Sequence, residues 1–250
     1  MARLSRMGAP GADSVTRRQG TAAPPPCRFR AGSTTKVVTA AVVLQLAAEG
    51  RIDLGAPVQR YLPGLLTGAF APIAVRQLLN HTSGIQAGDG LGDTFDEFYA
   101  HRFESLPPER VVASAVAKGP AFAAGTRQQY LNINHTILGL LVEKVTGRSF
   151  AAEAERRVLA PLGIRNTCFP GADPRIRGPH NQGYQAVTRP DGTTAFVDVT
   201  DWNQTDRFAA GDMISTTADL ERLIVGLFRG RVVPEPQLSE MLFRTSPAPR

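Results

Sequence analysis

Ser33 stands three residues before Lys36 in the stretch Phe29-Arg30-Ala31-Gly32-Ser33-Thr34-Thr35-Lys36. Residues three apart on a helix share a face, so the hydroxyl and the amine can meet. A serine and a lysine at the mouth of a buried helix have the chemistry of a nucleophile and its base. Lysine occurs only at Lys36, Lys118 and Lys144, and every other basic residue of this type is arginine. Arginine keeps its proton in a protein whereas a buried lysine can lose it, so the lysine at 36 is informative. Much later comes Tyr130-Leu131-Asn132. A phenol can relay a proton where an ammonium favours the phenolate. An asparagine amide offers a donor and an acceptor, and can hold a substrate amide and a lysine together. Each residue also has a plain structural role open to it: Ser33 as a helix N-cap, Lys36 as a first-turn surface residue, Tyr130 as core. Each motif is short enough to arise by chance, and it is their joint occurrence that carries weight.

These side chains need a scaffold. The run after Lys36, Val37-Val38-Thr39-Ala40-Ala41-Val42-Val43-Leu44-Gln45-Leu46-Ala47-Ala48, has almost no polar face, which predicts a buried helix over 33–49 closed by Gly50. It is too short to span a bilayer. A short amphipathic helix is expected over 73–79, closed by the turn Asn80-His81-Thr82-Ser83-Gly84. His81 is either catalytic or a loop histidine bonded to backbone. Gly88 to Asp93 lacks the strand-before, helix-after context of a phosphate loop and reads as a flexible loop. Helices follow over 95–102 and 108–117, and a loop then delivers Tyr130. Further helices are expected over 133–145 and 150–159, the second broken by Pro161-Leu162-Gly163. Two alternating runs around Arg189-Pro190-Asp191-Gly192 give a β-hairpin within 183–199. Residues 209–217 read as a loop leading into a helix over 218–228, and a last helix covers 235–243.

Length and apolar content fit one globular domain with a substantial core. The net charge of +6 comes from scattered basic residues, which gives a nucleic-acid role little support. Cys27 and Cys168 form no C-x-x-C or Cys/His cluster, so neither a metal site nor a redox motif is implied; they can pair in an oxidising compartment or be two unrelated thiols. No apolar core follows the N-terminal arginines, so no export signal is visible and the chain taken literally stays in the cytoplasm. Residues 1–28, rich in Gly, Pro, Ala and Arg, are expected to form a poorly ordered tail ahead of a domain at 29–250.

Four stretches in this order, Ser33-Thr34-Thr35-Lys36, Leu78-Leu79-Asn80-His81-Thr82-Ser83-Gly84, Tyr130-Leu131-Asn132 and Gly211-Asp212-Met213-Ile214-Ser215-Thr216, resemble the serine β-lactamase and penicillin-binding protein superfamily. The likeness is to the class C β-lactamases and D-alanyl-D-alanine carboxypeptidases in particular, and covers about 28–241. It implies an α+β fold of the β-lactamase/transpeptidase type, mostly helical here apart from the hairpin, with much of the central sheet missing. It implies Ser33 as the acylated nucleophile, Lys36 as the group that takes its proton or tunes the site, Tyr130 as proton relay and Asn132 as the group that orients the substrate amide. The Ser33 backbone N–H becomes an oxyanion donor near the positive end of its helix. No cofactor or metal is implied. The implied partner is a small-molecule or peptide substrate: a β-lactam, a D-Ala-D-Ala peptide or an ester. Members of the superfamily usually act outside the cytoplasm.

One family element is missing. No Lys/His-Thr/Ser-Gly triplet occurs; Lys144-Val145-Thr146-Gly147 has one residue too many. The sequence therefore carries three expectations: a hydrolase of the β-lactamase or carboxypeptidase type, an esterase of the same superfamily, or a truncated, non-catalytic homologue that lacks the C-terminal sheet strands and leaves apolar surface exposed.

Overall fold

The computed structural model describes residues 27–189 and 191–242, so most of the expected tail lies outside the described residues. Arg28 already belongs to the fold. Its N–H donates to the Pro179 carbonyl, and its own carbonyl accepts from the Asn181 N–H, both at 3.0 Å. β1 (Phe29–Arg30) follows, then a single 3₁₀ turn at Gly32–Thr34, then α1 (Thr35–Ala48). Ser33 sits in that turn and its side chain caps nothing, which corrects the N-cap reading. The Thr35 hydroxyl instead donates to the Gly32 carbonyl at 2.7 Å.

α1 is buried on nearly all sides, with Val38, Ala41, Val42, Val43 and Leu46 fully inside, as an all-round apolar helix must be. Beyond it run α2 (Val58–Tyr61), α3 (Val75–Leu79), α4 (Phe95–Ala100) and α5 (Pro108–Ala117). α6 (Asn132–Thr146) then packs against α1, α3 and α5 and is the other axis of the core. It ends where Gly147 turns left-handed at φ 71°.

The helix expected over 150–159 is only partly regular. α7 (Phe150–Ala154) opens into a wider π turn at Glu155–Leu159 and a 3₁₀ turn at Ala160–Leu162. The buried Arg157 in that turn pairs with buried Glu153 at 2.5 Å and with Glu49, just past the end of α1, also at 2.5 Å. The ion pairs tie the far end of the serine helix to the wide turn.

The hairpin forms as expected, β2 (Tyr184–Thr188) against β3 (Thr194–Asp198), with Gly192 at φ 80° in the turn. The segment expected to be a loop from 209 to 217 holds a strand, β4 (Ile214–Ser215), antiparallel to β1 in the register Phe29↔Ser215 and Arg30↔Ile214. Both residues are buried, so their backbone groups need protein partners. Ile214 meets that need with Cys168 as well, through bonds of 3.0 and 2.9 Å. Cys27 and Cys168 are free thiols.

α8 (Thr217–Phe228) starts at Thr216, whose hydroxyl accepts from the Asp219 N–H, and α9 (Glu235–Leu242) packs on α1. α8 leaves Ile224, Val225 and Phe228 exposed.

One contact fixes the approach of the 208–213 segment. A Cβ on Gly139 would lie 2.5 Å from the Ala209 Cβ and 2.6 Å from the Phe208 ring, so only glycine lets that segment lie on α6. Gly139→Val is expected to lose about 1–3 kcal/mol of stability through overpacking. Urea unfolding measures this, and an unchanged midpoint contradicts it.

Candidate active site

Lys36 Nζ is the hub of the site. It donates to Ser33 Oγ at 3.1 Å, to Asn132 Oδ1 at 2.8 Å and to the Ala210 carbonyl at 2.7 Å. An ammonium has three N–H donors, and all three are used. The Tyr130 ring lies over the same nitrogen, 4.9 Å from centroid to Nζ. The four residues singled out from sequence are thus gathered around one point.

Three elements do the gathering. Ser33 and Lys36 come from the turn and first coil of α1. Asn132 is the first residue of α6, and Tyr130 lies two residues earlier on the incoming loop. The third element is the 208–213 segment. Its Ala209 carbonyl accepts from Thr39 Oγ1 at 2.6 Å, its Met213 N–H donates to Thr35 Oγ1 at 3.1 Å, and its Met213 carbonyl accepts from the Ala31 N–H at 2.8 Å. Ala209 adopts φ 55°, a left-handed conformation that costs an alanine energy and persists because these bonds hold it. The next carbonyl along, that of Ala210, is the one that accepts from the lysine.

Exposure is graded. Lys36 is 6% exposed, whereas Tyr130 is 57% exposed and Ser33 faces solvent. Burial pushes the lysine pKa below its ordinary value, against the opposing pull of the Tyr130 phenol. Arg207 nearby lowers it further and Asp212 raises it. A lysine shifted downward in contact with a serine hydroxyl can accept that hydroxyl's proton.

His81 packs on Tyr130. Its ring centroid is 4.6 Å from the Tyr130 ring, and its Nδ1 accepts from the Leu131 N–H at 3.4 Å. Burial and the Lys36 charge lower its pKa to about 4, so it is neutral at physiological pH. The backbone-bonded reading of this histidine is the one the geometry supports.

Asp212 was part of a quoted motif but had no role in the sequence reading. It is buried, its Oδ1 has no hydrogen-bond partner among the described residues, and burial raises its pKa to about 7. The signal was a carboxylate inside the apolar run Ala209-Ala210 to Met213-Ile214. Because the folded pKa lies above the unfolded one, the folded state holds the extra proton between about pH 4 and pH 7. Stability from this group is present at the acid end and lost as pH rises through 7. Asp212→Asn is expected to raise the melting temperature at pH 8 and change it little at pH 4. A variant less stable at both pH values would contradict this.

Comparison with known proteins agrees with the architecture. The Beta-lactamase family profile matches residues 11–250. Esterase EstB of Burkholderia gladioli is 34% identical over 174 residues, covering 64% of this chain and 43% of its own length. The D-stereospecific amidohydrolase of Streptomyces sp. superposes with a TM-score of 0.79 at 38% identity, over 89% of this chain and 67% of that one. The D-amino acid amidase of Ochrobactrum anthropi SV3, solved with L-phenylalanine amide, superposes with a TM-score of 0.71 at 25% identity, over 85% and 59%. This chain spans less than half the length of the curated relatives it matches. On the profile match, the shared α+β fold and the Ser-x-x-Lys and Tyr-x-Asn arrangement, the chain belongs to the Beta-lactamase family, within the serine β-lactamase and penicillin-binding protein superfamily.

Proposed function

We propose that the protein is a serine hydrolase that cleaves a small amide or ester through an acyl-enzyme on Ser33. The observation that carries this reading is the single nitrogen of Lys36 bonded at once to Ser33 Oγ and Asn132 Oδ1 beneath the Tyr130 ring. Ser33 Oγ attacks the substrate carbonyl carbon, and its proton passes to Lys36 in its neutral amine form, the form that burial favours. Tyr130, which is exposed, then protonates the departing amine or alkoxide and takes the proton held by Lys36 in exchange. Water attacks the acyl carbon in a second step and the proton path reverses, which frees the acid and restores Ser33. Asn132 spends its Oδ1 on the lysine and keeps its amide N–H₂ for a substrate carbonyl.

Two relatives are described as a D-amino acid amidase and a D-stereospecific amidohydrolase, and one as an esterase. They favour an amide or ester of a D-configured residue as substrate, with a β-lactam or a D-Ala-D-Ala peptide in the same chemical class. The test is mass spectrometry after incubation with labelled penicillin, a D-amino acid amide and a p-nitrophenyl ester. Adduct or turnover with any of them supports the reading, and none with all three on folded protein sinks it. The second reading, a binding homologue without turnover, is favoured by one observation: the sequence has no Lys/His-Thr/Ser-Gly triplet. Reversible binding of the same compounds without acylation would establish it.

A further inference from the structure

We propose that His81 is the positioning residue of Tyr130: a neutral imidazole that pins the backbone on both sides of the tyrosine and backs its ring. The inference rests on the reading of Tyr130 as proton relay. Tyr130 lies on a loop and is largely exposed, so packing alone does not hold its phenol over Lys36.

His81 supplies three restraints. Its backbone carbonyl accepts from the Gln129 N–H at 2.8 Å, one residue before the tyrosine. Its Nδ1 accepts from the Leu131 N–H at 3.4 Å, one residue after. Its ring packs on the phenol ring at 4.6 Å and 41°, with His135 stacked behind it at 5.0 Å. The two backbone bonds and the ring contact act on consecutive residues, so they fix position and tilt together.

The imidazole itself is held in one orientation and one tautomer. Asn134 Oδ1 accepts from Ser83 Oγ at 2.5 Å, which turns Asn134 Nδ2 toward His81 Nδ1 at 3.2 Å. With two donors aimed at it, Nδ1 is the acceptor nitrogen and the proton sits on Nε2. A protonated ring would lose both bonds. The groups that face this ring are the Lys36 ammonium, the Tyr130 phenol and the His135 ring.

The turn that carries His81 is itself strained and stitched down. His81 adopts φ 61°, unusual for a non-glycine residue. The Thr82 carbonyl accepts from the Gly125 N–H and the Gly84 carbonyl from the Ala121 N–H, both at 2.8 Å. A Cβ on Gly84 would sit 2.1 Å from the Phe122 carbonyl oxygen. The turn is therefore bonded to the loop that delivers Tyr130 at three points, Ala121, Gly125 and Gln129. Strain held by such over-determination is a mark of a functional constraint.

The test is a double-mutant cycle on the full chain with a p-nitrophenyl ester, together with hydrogen exchange at the Leu131 amide. His81→Ala is expected to lower kcat by about 10- to 100-fold with KM little changed, the scale of loss for a misplaced catalytic group. His81→Asn tolerates the left-handed φ and offers Oδ1 in place of Nδ1, and is expected to recover most of that loss. In a Tyr130→Phe background His81→Ala is expected to add almost nothing, because the two act as one unit. Leu131 exchange is expected to speed about tenfold or more in His81→Ala and to stay slow in His81→Asn. Additive losses in the cycle, or unchanged Leu131 exchange in His81→Ala, would overturn the proposal. If Tyr130→Phe keeps full activity, the relay reading fails instead, and the exchange rates still decide whether His81 holds the loop.

Discussion

Ser33→Ala is expected to abolish both acylation and turnover. With the oxygen gone no ester to the enzyme can form, so the labelled adduct disappears altogether. Residual turnover should fall by about 10⁴- to 10⁶-fold, the range seen when the nucleophile of a serine hydrolase is removed. The fold should survive. Ser33 faces solvent, caps no helix, and among the described residues its one side-chain hydrogen bond is the acceptor bond from Lys36. Its loss frees one lysine N–H next to solvent, where water replaces the partner at little cost. The melting temperature is therefore the control: loss of adduct with an unchanged melting temperature assigns the chemistry to the hydroxyl. An adduct that persists in Ser33→Ala at equal stoichiometry would move the nucleophile elsewhere and sink the acyl-enzyme on Ser33.

The parts of the site that sequence made legible are those whose chemistry lives in side chains at short spacing. Ser33 and Lys36 sit one helical turn apart, and Tyr130 and Asn132 flank a helix start, so both pairs could be read before any fold was known. The all-apolar run behind Lys36 and the Asp-Gly hairpin were legible for similar local reasons. What sequence did not reveal is carried by backbone and by distance. The carbonyl of Ala210, which takes the third lysine proton, has no residue signature at all. Nothing local marks Ile214–Ser215 as the partner of Phe29–Arg30, because that pairing is set by burial across most of the chain. Gly139 reads as an ordinary helix weakness until the Phe208–Ala209 segment is seen lying on it. Asp212 was visible as a carboxylate in an apolar run, yet its orphaned oxygen appears only in three dimensions.

Lys36→Arg is expected to be nearly as damaging as loss of the serine, although it keeps the charge. The lysine site has three acceptors converging on one nitrogen at 2.7 to 3.1 Å. A planar guanidinium spreads its donors over a fork and cannot meet that geometry in the space of a compact ammonium. More important, arginine has no neutral form to accept the Ser33 proton. We expect kcat/KM to fall by about 10²- to 10⁴-fold, the usual worth of a general base. Lys36→Met separates charge from stability. It leaves Asn132 Oδ1 and the buried Ala210 carbonyl without their donor, at a cost of about 1–3 kcal/mol for each group that finds no other partner. The pH profile gives the sign. Burial lowers the Lys36 pKa from 10.5, so the acid limb of kcat/KM should have its midpoint below that value, with activity rising as the amine loses its proton. Asp212 opposes that shift by favouring the ammonium, so Asp212→Asn should carry the limb to still lower pH. Lys36→Arg that keeps kcat/KM within about threefold of the parent, or a limb that Asp212→Asn moves upward, would show that another group is the base.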